Sequence, residues 1–273
     1  MSKRLPIQTT AVALALCALM ASAGWAAGPV PAPDPVHDPI PTADRAWGLD
    51  VGAEYASRYL FRGVSQLGDE AVYVPHARYG YGHLAVYFWG YLGNVPDFGD
   101  DRYREADFGL DYTFSFGERV AMTVGAVTYQ YNGPAERDIV FLDTYEFYTV
   151  VTIDTVLTPT ISFYRDVHAV DGGYLSAAIS HTFELGDRMR LILSGSAGFD
   201  FGYNNKEVGD GTFNDVLLGA DLPIRLTDDL SMHAMVQRTI AQSALDRSVS
   251  GHPGLKAFYG DQTVVSAGLT YSF

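Results

Sequence analysis

The chain has 273 residues, 48% hydrophobic and 18% charged, with 32 acidic against 18 basic side chains and a formal charge of −14. So acidic a balance argues against nucleic acid as a partner, because phosphate binding needs a basic surface. The one cysteine, Cys17, lies in a segment expected to be removed, which leaves no thiol for disulfides, Cys-ligated zinc or cysteine catalysis.

That segment comes first. Lys3 and Arg4 precede an apolar run from Ala11 to Met20 and then the small residues around Ala21, Ser22, Ala23 and Ala26. Residues 1–26 therefore read as a secretory signal peptide, cleaved after Ala23 or, slightly preferred, Ala26. The run is too short to anchor the chain in a bilayer, and Leu16 before Cys17 is too bulky for the usual lipoprotein site. Loss of Lys3 and Arg4 lowers Lys+Arg from 18 to 16 and moves the charge to −16. Residues 27–45 carry Pro29, Pro31, Pro33, Pro35, Pro39 and Pro41 and should form an extended spacer in the periplasm.

From residue 46 to 273 the pattern is alternation. Trp47, Leu49, Val51, Ala53 and Tyr55 interleave with Gly48, Asp50, Gly52 and Glu54, and Ala106, Phe108, Leu110, Tyr112 and Phe114 interleave with Asp107, Gly109 and Asp111. In a strand this puts apolar groups on one face and polar or tiny groups on the other. The template predicts about twelve strands, near 46–58, 71–79, 83–92, 104–115, 119–131, 143–153, 157–166, 174–184, 189–202, 213–225, 230–238 and 262–273, each long enough to cross a bilayer at a tilt. Connections alternate between tight and long, as between the periplasmic and external sides of a barrel. A soluble β-sandwich also alternates, but aromatic residues at strand ends favour a transmembrane antiparallel β-barrel in a Gram-negative-type outer membrane, in contact with lipid and lipopolysaccharide. Twelve strands tilted by about 40° give a backbone diameter of roughly 24 Å, so only a narrow pore for ions or small solutes would remain. Pro75 is the one misfit, since it removes a ladder donor in the middle of the second strand.

Ser57, Tyr59, Arg62, Gly63 and Ser65 follow the first strand in the stretch Ser57-Arg58-Tyr59-Leu60-Phe61-Arg62-Gly63-Val64-Ser65-Gln66. This resembles the TorF-type porins, outer-membrane proteins in which an early strand ends in Ser-x-Tyr-x-x-Arg-Gly-x-Ser, and the resemblance implies a channel without naming a solute. At the other end, Ser266, Gly268, Tyr271 and Phe273 are similar to the terminal strand of bacterial outer-membrane proteins, which implies recognition by the barrel-assembly machinery.

In the phase set by Asp50 and Glu54, Arg58 and Arg62 continue an inward stripe, with Arg62 expected at the external rim and Gly63 turning the chain into the first loop. These arginines would either contact solute or brace the wall against carboxylates. The inward set is acidic: Asp50, Glu54, Asp107, Asp111, Glu146, Asp200, Asp215 and Asp221 against Arg58, Arg190 and Arg225. In an open constriction these carboxylates would favour cations; in a plugged barrel they would be consumed in hydrogen-bonded networks. The expectation is a passive, cation-preferring pore without cofactor.

An enzyme is the competing class. No Gly-x-Ser-x-Gly elbow is present. His168 with Asp166 and Asp171, and His252 beside Ser250, fall in external connections where they would have to converge; His181 has lipid-facing parity and His233 lumen parity. For metal, Asp97, Asp100 and Asp101 cluster in an external loop without EF-hand spacing, and His76 and His83 flank a tight turn.

Overall fold

The computed structural model describes residues 47–94, 102–131, 143–206, 211–245 and 256–273. The signal peptide and spacer, Asp97, Asp100, Asp101, Ser250 and His252 lie outside the described residues. In chain order the elements are β1 (Trp47–Ala56), β2 (Leu60–Phe61), β3 (Val64–Ser65), β4 (Val72–Tyr81), β5 (Leu84–Asn94), β6 (Arg102–Phe116), β7 (Val120–Tyr131), β8 (Thr144–Ile153), β9 (Thr160–Asp166), β10 (Gly173–Glu184), β11 (Arg190–Phe201), β12 (Thr212–Arg225), β13 (Leu230–Ala241), the helical turn α1 (Lys256–Tyr259) and β14 (Gln262–Ser272).

Twelve of the strands, all but β2 and β3, close into one barrel in which each pairs with its neighbours along the chain and β1 seals the wall against β14. The seal is antiparallel and in register from Asp50↔Ser272 to Ala56↔Ser266, and the Phe273 amide extends it by donating to the Leu49 carbonyl at 2.9 Å. Both ends of the wall therefore lie on one rim, the rim with the short turns, which is the periplasmic side of an outer-membrane barrel.

Alternation decides which face is which. Along β14 the odd partners of the pattern, Gln262, Val264, Ser266, Gly268, Thr270 and Ser272, are buried, while Thr263, Val265, Ala267, Leu269 and Tyr271 are exposed. The exposed outer face carries Val51, Val86, Leu110, Leu193, Leu218 and Val265 at mid-height, a surface that water would not tolerate and hydrocarbon would. Rings lie at its two edges: Tyr55 against Tyr73 on one side, and Tyr112 against Phe114 and Tyr271 against Phe273 on the other. No helix among the described residues is long and apolar enough to cross a membrane; the strands do so, and the barrel is an outer-membrane one.

Two irregularities matter. Pro75 stays inside β4 and pairs with Ala53, but the ladder to β5 lapses at Val74 and Pro75 and resumes at His76↔Trp89. The strand tolerates the missing donor by skipping two residue pairs rather than by shifting register. Between β11 and β12 the pairing jumps from Gly198↔Asp215 to Phe199↔Phe213. Asn214 is the extra residue of this bulge, so Asn214 and Asp215, although consecutive, are both buried on the inside. β9 starts at Thr160 rather than Leu157 because Thr158 takes a positive φ of 36° and Pro159 follows it.

Candidate functional site

The stretch after β1 does not continue the wall. Ser57 makes the last rung, its amide donating to the Val265 carbonyl and its hydroxyl accepting from the Val265 amide, both at 2.9 Å. Arg58 then donates to Gln262 Oε1 at 2.6 Å and pairs with Asp69. From Tyr59 the chain turns into the lumen as a hairpin, with Leu60↔Ser65 and Phe61↔Val64 paired. Arg62 and Gly63 are its two-residue loop, at φ 49° and 81°, as a type I′ turn requires. Gly63 is needed for space as well, since a Cβ there would lie 2.9 Å from Asp215 Cγ and from Leu245 Cδ1. Ser65 Oγ closes the return by donating to the Gly68 carbonyl at 2.5 Å. β2 and β3 bond to each other as a separate two-stranded sheet, without ladder bonds to the wall.

The hairpin tip crosses to the far wall. Arg62 Nη1 and Nη2 donate to Glu146 Oε2 and Oε1 of β8 at 2.6 and 2.8 Å, and Tyr129 of β7 donates to Glu146 at 3.1 Å. The guanidinium carbon stands 4.3 Å from the Tyr164 ring centre, 4.3 Å from Tyr203, 4.6 Å from Phe61 and 5.3 Å from Tyr174. Arg62 is 4% exposed and Glu146 1%. Burial by itself disfavours the charged guanidinium, but the Glu146 carboxylate beside it outweighs that and drives the Arg62 pKa upward. The turn backbone is held too: the Arg62 carbonyl accepts from Asn204 Nδ2 at 3.0 Å and Asn214 Nδ2 at 2.9 Å. The bulge that turns Asn214 inward thus supplies a seat for the tip. Asn214 and Tyr174 in turn donate to Asp215 Oδ1, each at 2.8 Å.

Around the hairpin the lumen is lined by tyrosines of β5 to β10. Tyr59 stacks on Tyr91 with centroids 4.2 Å apart, Tyr103 lies 6.1 Å from Tyr59, and Phe61 meets Tyr129 edge-on. Together with Leu60, Leu67, Val72 and Val264 they form one buried cluster that fills the outer half of the barrel. Below it, Glu54, His76, Ser266 and His233 line a buried polar layer in which His233 Nε2 is 3.7 Å from Glu54 Oε2, beyond hydrogen-bond range. His233 leans over Gly268, where a Cβ would come within 2.8 Å of its ring. The inner end is wetter. Inward-pointing Ser180 and Arg78 are half-buried and Ser194 is exposed, and a recess of about 30 Å³ opens beside Asp50, Arg78 and Asp111.

The expected lumen carboxylates do all point inward, but most already have partners. Asp50 accepts from Ser272 at 2.7 Å and Asp111 from Arg78 at 3.2 and 3.3 Å; Glu105, outside the expected set, accepts from Tyr103. Asp200 accepts three loop amides, those of Tyr203, Asn204 and Asn205, which brings Tyr203 to the hairpin. Asp107 and Asp221 are buried on the inner face. Arg190 is half-buried, in register with Glu184, and Arg225 is exposed at the inner rim, donating to the Asp187 carbonyl at 2.5 Å.

The placement of Arg62 at the external rim is corrected: the inward stripe ends with the wall at Ala56, and Arg62 is carried into the barrel by an inserted hairpin. The proposed catalytic and metal sets do not assemble among the described residues. Asp166 is committed to its own loop, accepting the amides of His168, Val170 and Asp171 and the Thr144 hydroxyl, while Asp171 pairs with Arg165. His181 faces out against Phe183. His76 stacks on Trp89 inside the barrel, whereas His83 packs on Tyr112 at the turn. What the alternation did not reveal was the tyrosine wall, although its signal is present: Tyr87, Tyr91, Tyr129, Tyr131, Tyr148, Tyr164 and Tyr174 all sit at inward parity, where a lipid-facing ring would not be.

No protein-family model matches the chain, and no curated protein sequence matches it. Solved structures do share the fold. The KdgM porin in complex with disordered oligogalacturonate superposes with a TM-score of 0.51 at 10% identity, over 83% of this chain and 99% of the porin. The NanC porin gives 0.54 at 10% identity over 82% and 98%, and an outer-membrane channel from Pseudomonas putida F1 gives 0.52 at 8% over 87% and 100%.

Proposed function

We propose that this barrel is an outer-membrane channel for passive diffusion of ions or small solutes, closed in its outer half by the β2–β3 hairpin and opened when that hairpin leaves the lumen. The observation that carries the proposal is the separateness of the hairpin. It is tethered at both ends and held by side chains and turn contacts, not by ladder bonds to the wall, so it can leave without opening the barrel. The wet inner half supplies the other part of a path, and the shared fold with porins and a channel agrees with it. We further assign the chain to the TorF-type porins, on the Ser57, Tyr59, Arg62, Gly63 and Ser65 motif, whose members from Tyr59 onward lie in the hairpin. Cation preference is part of the proposal and rests on the excess of inward carboxylates, among them Asp50, Asp107 and Asp111, over the inward arginines. Recognition of the terminal strand by the assembly machinery belongs to it too, and Phe273→Ser should lower the amount of heat-modifiable barrel without blocking export.

Single-channel recording of refolded protein in a planar bilayer is the test. Currents are expected, with reversal potentials under a KCl gradient on the cation side and moved toward zero by joint Asp107→Asn and Asp111→Asn substitution. No conductance from well-folded protein, even with the hairpin excised, would sink the channel; lipid hydrolysis by the same preparation would put an enzyme in its place.

A further inference from the structure

We infer that the wall around Glu146 is a binding site for guanidinium-bearing solutes, occupied in this structure by the protein's own Arg62. The inference rests on the channel reading above and names the class of solute that such a channel takes.

Among the described residues that meet the guanidinium, all but Phe61 belong to the barrel rather than to the hairpin. Glu146 comes from β8, Tyr129 from β7, Tyr164 from β9, Tyr174 from β10, and Tyr203 from the loop that Asp200 shapes. A carboxylate receives the planar fork at 2.6 and 2.8 Å, and the rings of Tyr164 and Tyr203 each lie 4.3 Å from the guanidinium carbon. This combination selects guanidinium over ammonium: the fork gives two parallel charge-assisted bonds, the flat cation stacks on rings, and it sheds water more readily than a compact –NH₃⁺. Tyr129 further fixes the carboxylate in the orientation the fork needs.

With the hairpin seated, Glu146 is 1% exposed, and a carboxylate at that depth needs a counter-charge. Simple withdrawal of Arg62 breaks this buried ion pair and leaves lumen water alone to solvate the carboxylate. A guanidinium arriving from solution changes the reaction from breaking a buried ion pair to exchanging one guanidinium for another, so the ligand favours the open state by its affinity for a seat that only that state offers. Arg62 is well suited to be displaced, being presented on a two-residue turn with positive φ in a sheet separate from the wall. A free guanidinium, an arginine or an arginine-bearing peptide all carry the required group.

The test uses full-length refolded barrel, its fold checked by heat-modifiable gel mobility. In Arg62→Ala, guanidinium chloride at millimolar concentration and constant ionic strength should bind, by calorimetry, at least about tenfold more tightly than ammonium chloride, the ratio that one stacked, bidentate geometry supplies. Adding Glu146→Gln should abolish that binding. In wild-type protein, arginine amide should raise the open probability where lysine amide does not. Equal binding of the two cations, or binding that survives Glu146→Gln, overturns the assignment. Should Arg62→Ala not refold, the wild-type comparison decides by itself, and equal responses to the two amides overturn it. Guanidinium binding without conductance in any variant retires the channel reading and leaves the seat standing.

Discussion

The outer and inner halves of the lumen are cut from the same strands, yet they are opposite in character. In the outer half the inward positions are Tyr91, Tyr103, Tyr129, Tyr164 and Tyr174, with Glu146 and Asp215 among them, and all are buried against the hairpin. In the inner half the same parity brings Ser180, Ser194, Gly219 and Arg78, and solvent reaches them. Alternation therefore fixes only which way a side chain points. Whether the lumen is filled or wet is set by side-chain size and by whether another segment is threaded inside.

The contrast can be broken most completely by replacing residues 59–66 with a flexible Gly/Ser linker. If the hairpin alone closes the outer half, conductance should rise to a steady open level, the largest change expected of any variant. Next in size, Glu146→Gln leaves the Arg62 guanidinium buried without its counter-charge and should destabilise the folded barrel by about 3–5 kcal/mol, read as a lower midpoint in urea; an equivalent Ser194→Ala change in the inner half should leave it unmoved. The contrast is then sharpened by labelling. The mature chain is expected to lack cysteine, so Ser194→Cys should react at once with a water-soluble thiol reagent, while Ser162→Cys, 4% exposed, should react far more slowly. The smallest effect is that of Tyr59→Leu, which removes the stack on Tyr91 and should cost about 0.5–1.5 kcal/mol, with a modest rise in open probability. Equal labelling at Ser162 and Ser194 would erase the distinction between the halves.

The wall was legible in the sequence nearly strand by strand, because lipid outside and polar groups inside impose a period of two on every segment. The predicted 104–115 and 262–273 differ from β6 and β14 only at their ends. Inward parity of Asp107, Asp111, Glu146 and Asp215 was legible for the same reason. The hairpin was not. Arg62 continues the β1 phase if the strand is simply extended, and nothing local says that the chain leaves the wall at Ser57. The reason lies far away in sequence: Glu146, Asn204 and Asn214 are separated from Arg62 by 84, 142 and 152 positions, and no periodicity encodes such a meeting. The Asn214 bulge was hidden likewise, since one extra residue exchanges the faces of a strand without leaving a mark in its composition.

The bulge and the seam together carry a consequence for how the molecule is made. Asp50 and Ser272, bonded across the seam, are 222 positions apart, so closure is among the most non-local events a chain of this length can undergo and should be slow. The hairpin hangs from the strand that forms the seam, and its resting place needs Asn214 on β12 already turned inward. It should reach that place only when most of the wall exists. Near-ultraviolet circular dichroism of the tyrosine wall should accordingly lag behind the far-ultraviolet strand signal during refolding, making the plug a timer of barrel completion as well as its stopper.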